Sequence, residues 1–177
     1  MEIVDLRYPI GRFQKETNIS ESRRNEFIEG ISVLPIDLRR AVAGMSQEGL
    51  DTPYRPEGWT VRQVVHHLAD SHMNAFIRFR LALTEHEPTI KPYDEKLWAE
   101  LPDSRTAPVE LSLKLLECLH ARWTLMLQAL PGEKFSRTFK HPELGLLTLD
   151  IQSCLYHWHG KHHLSHITSL KKRMQWS

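Results

Sequence analysis

Cysteine is scarce in this chain. Its 177 residues include two, Cys118 and Cys154, too few for a disulfide framework, so a reduced compartment is expected. Long apolar runs are missing as well: none approaches the ~18 residues of a membrane span. Neither sign of charge prevails. Lys plus Arg number 23 against 22 for Asp plus Glu, a net charge of +1 with neutral histidine. A chain so balanced has no electrostatic pull toward nucleic acid or an anionic membrane, and neither is expected as a partner. The opening MEIVDLRYPIGRFQK has no apolar h-region, so no secretory leader is expected and the location is read as cytoplasmic. Internal repeats and low-complexity stretches are lacking too. What remains is an ordinary globular composition, 41% hydrophobic and 25% charged, of a length that suits one domain over 1–177.

The apolar residues repeat with a helical period. Residues 1–19, with Pro9 and Gly11, read as an extended N-terminal arm, and Ser20 as the cap of a first helix. Phe27, Ile28, Ile31, Leu34, Leu38, Val42 and Met45 follow at three- and four-residue spacing. Pro35 lies inside that stripe and removes one backbone donor, which predicts a kink or a split. Residues 48–58 read as a loop. Thr60 should cap a second helix, running through Val61, Val64, Val65, Leu68, Ala75, Phe76, Phe79 and Leu83 to about Thr84. The Pro-rich segment 86–108 is a long connection, with a short helix at EKLWAEL; loops of this length are often functional. A third helix spans Val109 to Leu130. FSRTFKHPELGLLTLD reads as a small β-hairpin turning at His-Pro-Glu-Leu-Gly, and a last helix runs from about Leu149 to Met174. Four long amphipathic helices argue for an all-α four-helix bundle.

Histidine is the abundant exception. There are 11, and five fall in residues 157–166. On a helix, residues four apart share a face, which pairs His159 with His163 and His162 with His166. Ile167 and Leu170 mark the core side, and they select His159 and His163 as the inward pair. Two imidazoles at i and i+4 clamp a divalent cation such as Zn²⁺ or Ni²⁺. A third ligand would come from His66 or His67 on the second helix, with Asp70 as the neighbouring carboxylate. HxxxH by itself occurs in any His-rich helix, and no His-Glu-x-x-His of a zinc protease is present. Gly160, inside the ligand helix, implies that something packs closely against its backbone. Cys154 reads as a small buried side chain rather than a ligand.

Three stretches carry a resemblance: DTPYRPEGWTVRQVVHHLADSHMNAFIRFRLALTE, KPYDEKLWAEL and YHWHGKHHLSHITSLKKRMQWS. Together they resemble the YfiT branch of the DinB/YfiT superfamily, from the YPIG near the start to the Trp-Ser end. The resemblance implies a four-helix bundle with one divalent metal ion per subunit, Zn²⁺ or Ni²⁺, held by three histidines. The family's Trp-(Ser/Thr)-x6-His-Leu pattern falls on Trp59-Thr60 and His67-Leu68, which selects His67. Its closing HxxxH falls on His159 and His163. His66, Asp70, Tyr156, His162 and His166 are then candidates to line the pocket or to hydrogen-bond the ligands. The resemblance further implies a cytoplasmic homodimer and a small-molecule substrate.

Three uncharged ligands leave the cation its full charge at an open position. A metal-dependent hydrolase acting through metal-bound water is the first expectation. A bacillithiol S-transferase, acting through a metal-bound thiolate, is the alternative, and a non-catalytic metal-binding bundle is the reading from another class. No catalytic acid or base is evident. Trp98, Trp158, Arg55, Arg62 and Lys91 are further candidates for a substrate pocket.

Overall fold

The computed structural model describes residues 5–176; residues 1–4 of the expected arm lie outside them. Four long helices form the body: α1 (Glu21–Val42), α3 (Val61–Thr84), α6 (Val109–Ala129) and α7 (Leu149–Met174). Between them lie short α2 (Gln47–Leu50), α4 (Glu95–Ala99) and α5 (Pro102–Thr106), a 3₁₀ turn at Gly132–Ser136, and the antiparallel pair β1 (Thr138–His141) and β2 (Gly145–Thr148). Helix α1 packs on α6 and α7, and α3 packs on the same two. The first and second long helices, α1 and α3, therefore occupy opposite corners of the bundle, as do the third and fourth, α6 and α7.

Caps set where the long helices begin. Ser20 accepts from the Arg23 amide. Thr60 accepts from the Gln63 amide while the Gln63 side chain accepts from the Thr60 amide, a reciprocal capping box. Thr148 closes the hairpin opposite Thr138 and also caps α7. No split occurs at Pro35: α1 is continuous from Glu21 to Val42. The helices α2 and α5 interrupt segments expected to be loop.

The bundle interior is two apolar layers rather than one. The first gathers Leu34, Leu38, Val64, Leu68, Leu116 and Ile167. The second gathers Ile31, Phe79, Trp123, Phe139, Leu149 and Tyr156. In sequence, His72 falls between the two layers on α3, His120 on α6, and His159 and His163 on α7, while His67 lies within the first-layer stretch of α3. A belt of imidazoles thus separates the layers. Close packing of α1 on α7 holds it in register: a Cβ at Gly160 would stand 2.6 Å from Leu34 Cδ2, the approach that the helix-interior glycine implied.

The segment after α3 is pinned to the hairpin, with the Ile90 amide donating to Lys140 O at 3.0 Å and the Lys140 amide to Pro88 O at 2.9 Å. This brings the 86–94 connection and the hairpin turn over one end of the belt. The N-terminal arm lies along α7, with the Phe13 ring against Trp158 and Tyr8 against His162.

Candidate metal centre

Ring nitrogens of His67, His159 and His163 lie within 4.8 Å of one another, a spacing at which they could hold a metal ion. Nε2 of His67 stands 3.3 Å from Nε2 of His159. A second such group is His162, His163 and His166. There Tyr54 stacks on His166 with centroids 3.9 Å apart, and Trp158 stacks on His162 at 4.5 Å. His166 Nε2 donates to the Arg7 carbonyl.

Burial keeps these rings neutral. It pushes His67 down to about 4, with His162 and His166 adding to the effect, and it holds His159 and His163 well below the ordinary histidine value. Neutral imidazoles present lone pairs, as metal ligands must.

The tautomer of His159 follows from a chain of hydrogen bonds. Pro35 has no N–H, so the carbonyl of Ile31 loses its helical donor. Nδ1 of His120 lies 2.6 Å from that oxygen, and because a carbonyl only accepts, Nδ1 carries the proton. His120 is neutral, its value pushed by burial to about 4, so its Nε2 accepts from His72 Nδ1 at 3.0 Å. His72 is also neutral, so its Nε2 accepts from His159 Nδ1 at 3.2 Å. His159 Nε2 is thereby left with a lone pair aimed at His67 and His163. Outer hydrogen bonds of this kind orient a ligand imidazole and fix its tautomer.

The three rings open onto a cavity of about 360 Å³. Trp59 flanks it, its ring 4.7 Å from His67 and 6.3 Å from His163. The 86–94 connection supplies Tyr93 and the hairpin supplies His141 and Glu143. Tyr156 sits in the wall, its hydroxyl donating to the Ser71 carbonyl at 3.2 Å; burial raises its pKa, so the phenol stays protonated. A second cavity, of about 400 Å³, reaches His163 from the side of the arm and also touches Tyr54 and His166.

Other sequence candidates are placed elsewhere. His66 turns away to Ser112 Oγ at 2.7 Å and the Ala107 carbonyl. Asp70 is half-buried, and among the described residues its carboxylate has no hydrogen bond and no ion pair; burial raises its pKa to about 6. Arg62 is consumed by Asp51, Gln47 and the Ala107 carbonyl. Trp98 packs on Tyr93. Lys91 is exposed. Cys154 is buried and free. Sequence reasoning passed over His72 and His120, which sit outside any i,i+4 pair; the visible signal was a histidine on the apolar stripe of Leu113, Leu116, Trp123 and Leu127.

A family model described as the DinB superfamily matches residues 34–167. The chain belongs to the DinB superfamily. Among DinB relatives, a Bacillus cereus protein named "Putative metal-dependent hydrolase" is 55% identical over 172 residues, covering 97% of this chain and 99% of its own. A Bacillus thuringiensis relative with a name of the same kind matches equally. The solved structure of YfiT from Bacillus subtilis superposes with a TM-score of 0.96 at 51% identity, covering 98% of this chain and all of that one. It is described as a probable metal-dependent hydrolase with an unusual four-helix bundle topology. This is therefore a YfiT-like DinB protein, and the diagonal placement of α1 opposite α3 and of α6 opposite α7 agrees with that description. Among the described residues no helix is long and apolar enough to cross a membrane.

Proposed function

We propose that this DinB protein is a metal-dependent hydrolase in which His67, His159 and His163 hold one divalent ion, Zn²⁺ or Ni²⁺, at the floor of the cavity. The observation that carries the reading is the lone pair of His159 Nε2, set by the His120–His72 chain and directed at His67 Nε2 3.3 Å away. When bound, the ion would polarise a carbonyl and lower the pKa of a water or thiol toward neutrality.

The protein's own groups do the rest. His72 holds His159 in one orientation and one tautomer. Trp59 shields His67 and His163 from bulk water, which strengthens electrostatic interactions within the site. Tyr156, kept protonated and donating to the Ser71 carbonyl, ties α7 to α3 in the wall of the cavity.

A second reading, transfer of a small thiol such as bacillithiol to an electrophile, is favoured by one observation. Two cavities reach His163 from different sides, which leaves room for two substrates beside the same ring. Untagged metal-loaded protein should be assayed with p-nitrophenyl butyrate, and with a thiol plus chlorodinitrobenzene. Ester turnover that disappears in His163→Ala supports hydrolysis. Turnover with the thiol alone supports transfer, and turnover of neither contradicts both. A cytoplasmic homodimer goes with either reading; sedimentation equilibrium checks the dimer.

A further inference from the structure

Among the described residues, buried and half-buried arginines are engaged, with one exception. Arg62 is 4% exposed and donates to Asp51, Gln47 and the Ala107 carbonyl. Arg24 forms a bidentate pair with Asp150. Arg78 is 9% exposed, yet among the described residues no carboxylate, carbonyl or hydroxyl accepts from it and no aromatic ring stacks under it. It lines the cavity onto which His67, His159 and His163 open. A guanidinium facing this cavity presents donors that no described protein group satisfies. The position is explained if its counter-charge arrives with a ligand.

Helical geometry shows what the ligand must span. His67, Ser71 and Arg78 form one stripe of α3 facing Tyr156, His159 and His163 of α7. Eleven residues of helix separate His67 from Arg78, roughly 16 Å along the axis. Long helical side chains lean toward the helix N-terminus, so the guanidinium reaches back toward Ser71 and the imidazoles. Glu95 and Glu143 also line the cavity, but both are exposed and neither pairs with Arg78. A single planar fork of donors matches one carboxylate in bidentate fashion. Among the described residues no lysine and no second guanidinium lines this cavity to balance a phosphate dianion.

We infer that Arg78 receives a carboxylate carried by the substrate, so that the reacting group lies at the imidazoles and the carboxylate at the far end. The inference rests on the proposed reading of this cavity as the substrate site, and it deepens that reading by naming a substrate class: small molecules with a free carboxylate.

The test is calorimetric titration of zinc-loaded protein with glutarate and with butyrate, which lacks the second carboxylate. Wild type should bind glutarate at least tenfold more tightly. Arg78→Gln should bind the two acids equally, a roughly ten- to hundredfold loss for glutarate, with unchanged zinc content. Arg78→Lys, which keeps the charge without the fork, should fall between. Equal affinity of wild type for both acids overturns the inference, as does a glutarate preference that survives in Arg78→Gln. Should that variant not fold, the wild-type comparison and Arg78→Lys still decide. Wild-type turnover of p-nitrophenyl butyrate reports separately on hydrolysis: a glutarate preference without ester turnover keeps the Arg78 assignment and removes the hydrolase.

Discussion

His120 Nδ1 lies 2.6 Å from the carbonyl oxygen of Ile31, the carbonyl that Pro35 leaves without its helical donor. A defect in α1 is thereby repaired by a side chain of α6, and the repair fixes which nitrogen of His120 is free to accept from His72. The backbone of α1 is in this way joined to the tautomer of His159. Because the coupling begins at Pro35, it is open to a double-mutant cycle. Pro35→Ala restores an amide to Ile31. His120→Ala should cost roughly 2–4 kcal/mol in the native background, through a lost core side chain and an orphaned carbonyl. In the Pro35→Ala background the cost should be smaller by about 1 kcal/mol. Denaturant unfolding of the four proteins measures the difference, and equal costs would show that His120 and Pro35 act independently.

His72 is expected to matter more for the ion than for the fold. His72→Ala removes the acceptor for His159 Nδ1 and frees that ring to turn or to change tautomer. Loss of such an outer partner typically lowers metal affinity about 10- to 100-fold. Competition with a chromophoric chelator measures it. His66→Ala, whose ring faces Ser112, should leave the affinity unchanged, and an equal effect of the two variants would count against the relay.

Gly160 should tolerate no side chain. A Cβ there meets Leu34 Cδ2 at 2.6 Å, so Gly160→Ala must separate α1 from α7 or displace Leu34. Overpacking of this kind costs about 1–3 kcal/mol. Leu34→Ala should relieve part of that cost when combined with it, and thermal unfolding of the single and double variants reads the relief.

Acid should destabilise the metal-free protein. His67 and His120 are held at about 4 when folded, against 6.5 when exposed. Between those values the unfolded chain binds more protons, so stability is complete above pH 6.5 and is lost as pH falls toward 4. Each ring accounts for on the order of 3 kcal/mol across the whole window. The unfolding midpoint of metal-free protein should therefore drop between pH 7 and pH 5. A flat profile would mean that the rings are not neutral and buried.

Much of this was legible from residue spacing, because caps and apolar stripes are local signals. Ser20 and Thr60 start helices as their side chains dictate, and Leu113, Leu116, Trp123 and Leu127 face inward as their periodicity requires. The placement of His159 and His163 beside His67 follows from the same periodicity together with the family pattern. The relay was not legible. It depends on His120 of α6 meeting a carbonyl of α1, a contact across 89 residues that no local pattern encodes. Arg78 was passed over for the same reason: its lack of a partner is a property of packing, whereas Arg55 and Arg62 stood out only by their neighbours in the chain. The split at Pro35 was a sound local expectation, and tertiary repair prevented it.

The central claim is that three imidazoles, from residues 67, 159 and 163, grip one ion. Metal content of untagged protein by plasma mass spectrometry, compared with that of His159→Ala and His166→Ala, tests it most directly. About one divalent ion per chain is expected in wild type and in His166→Ala, and almost none in a folded His159→Ala. Full occupancy in His159→Ala, or loss of the ion in His166→Ala alone, would contradict the account and move the site to the outer histidines.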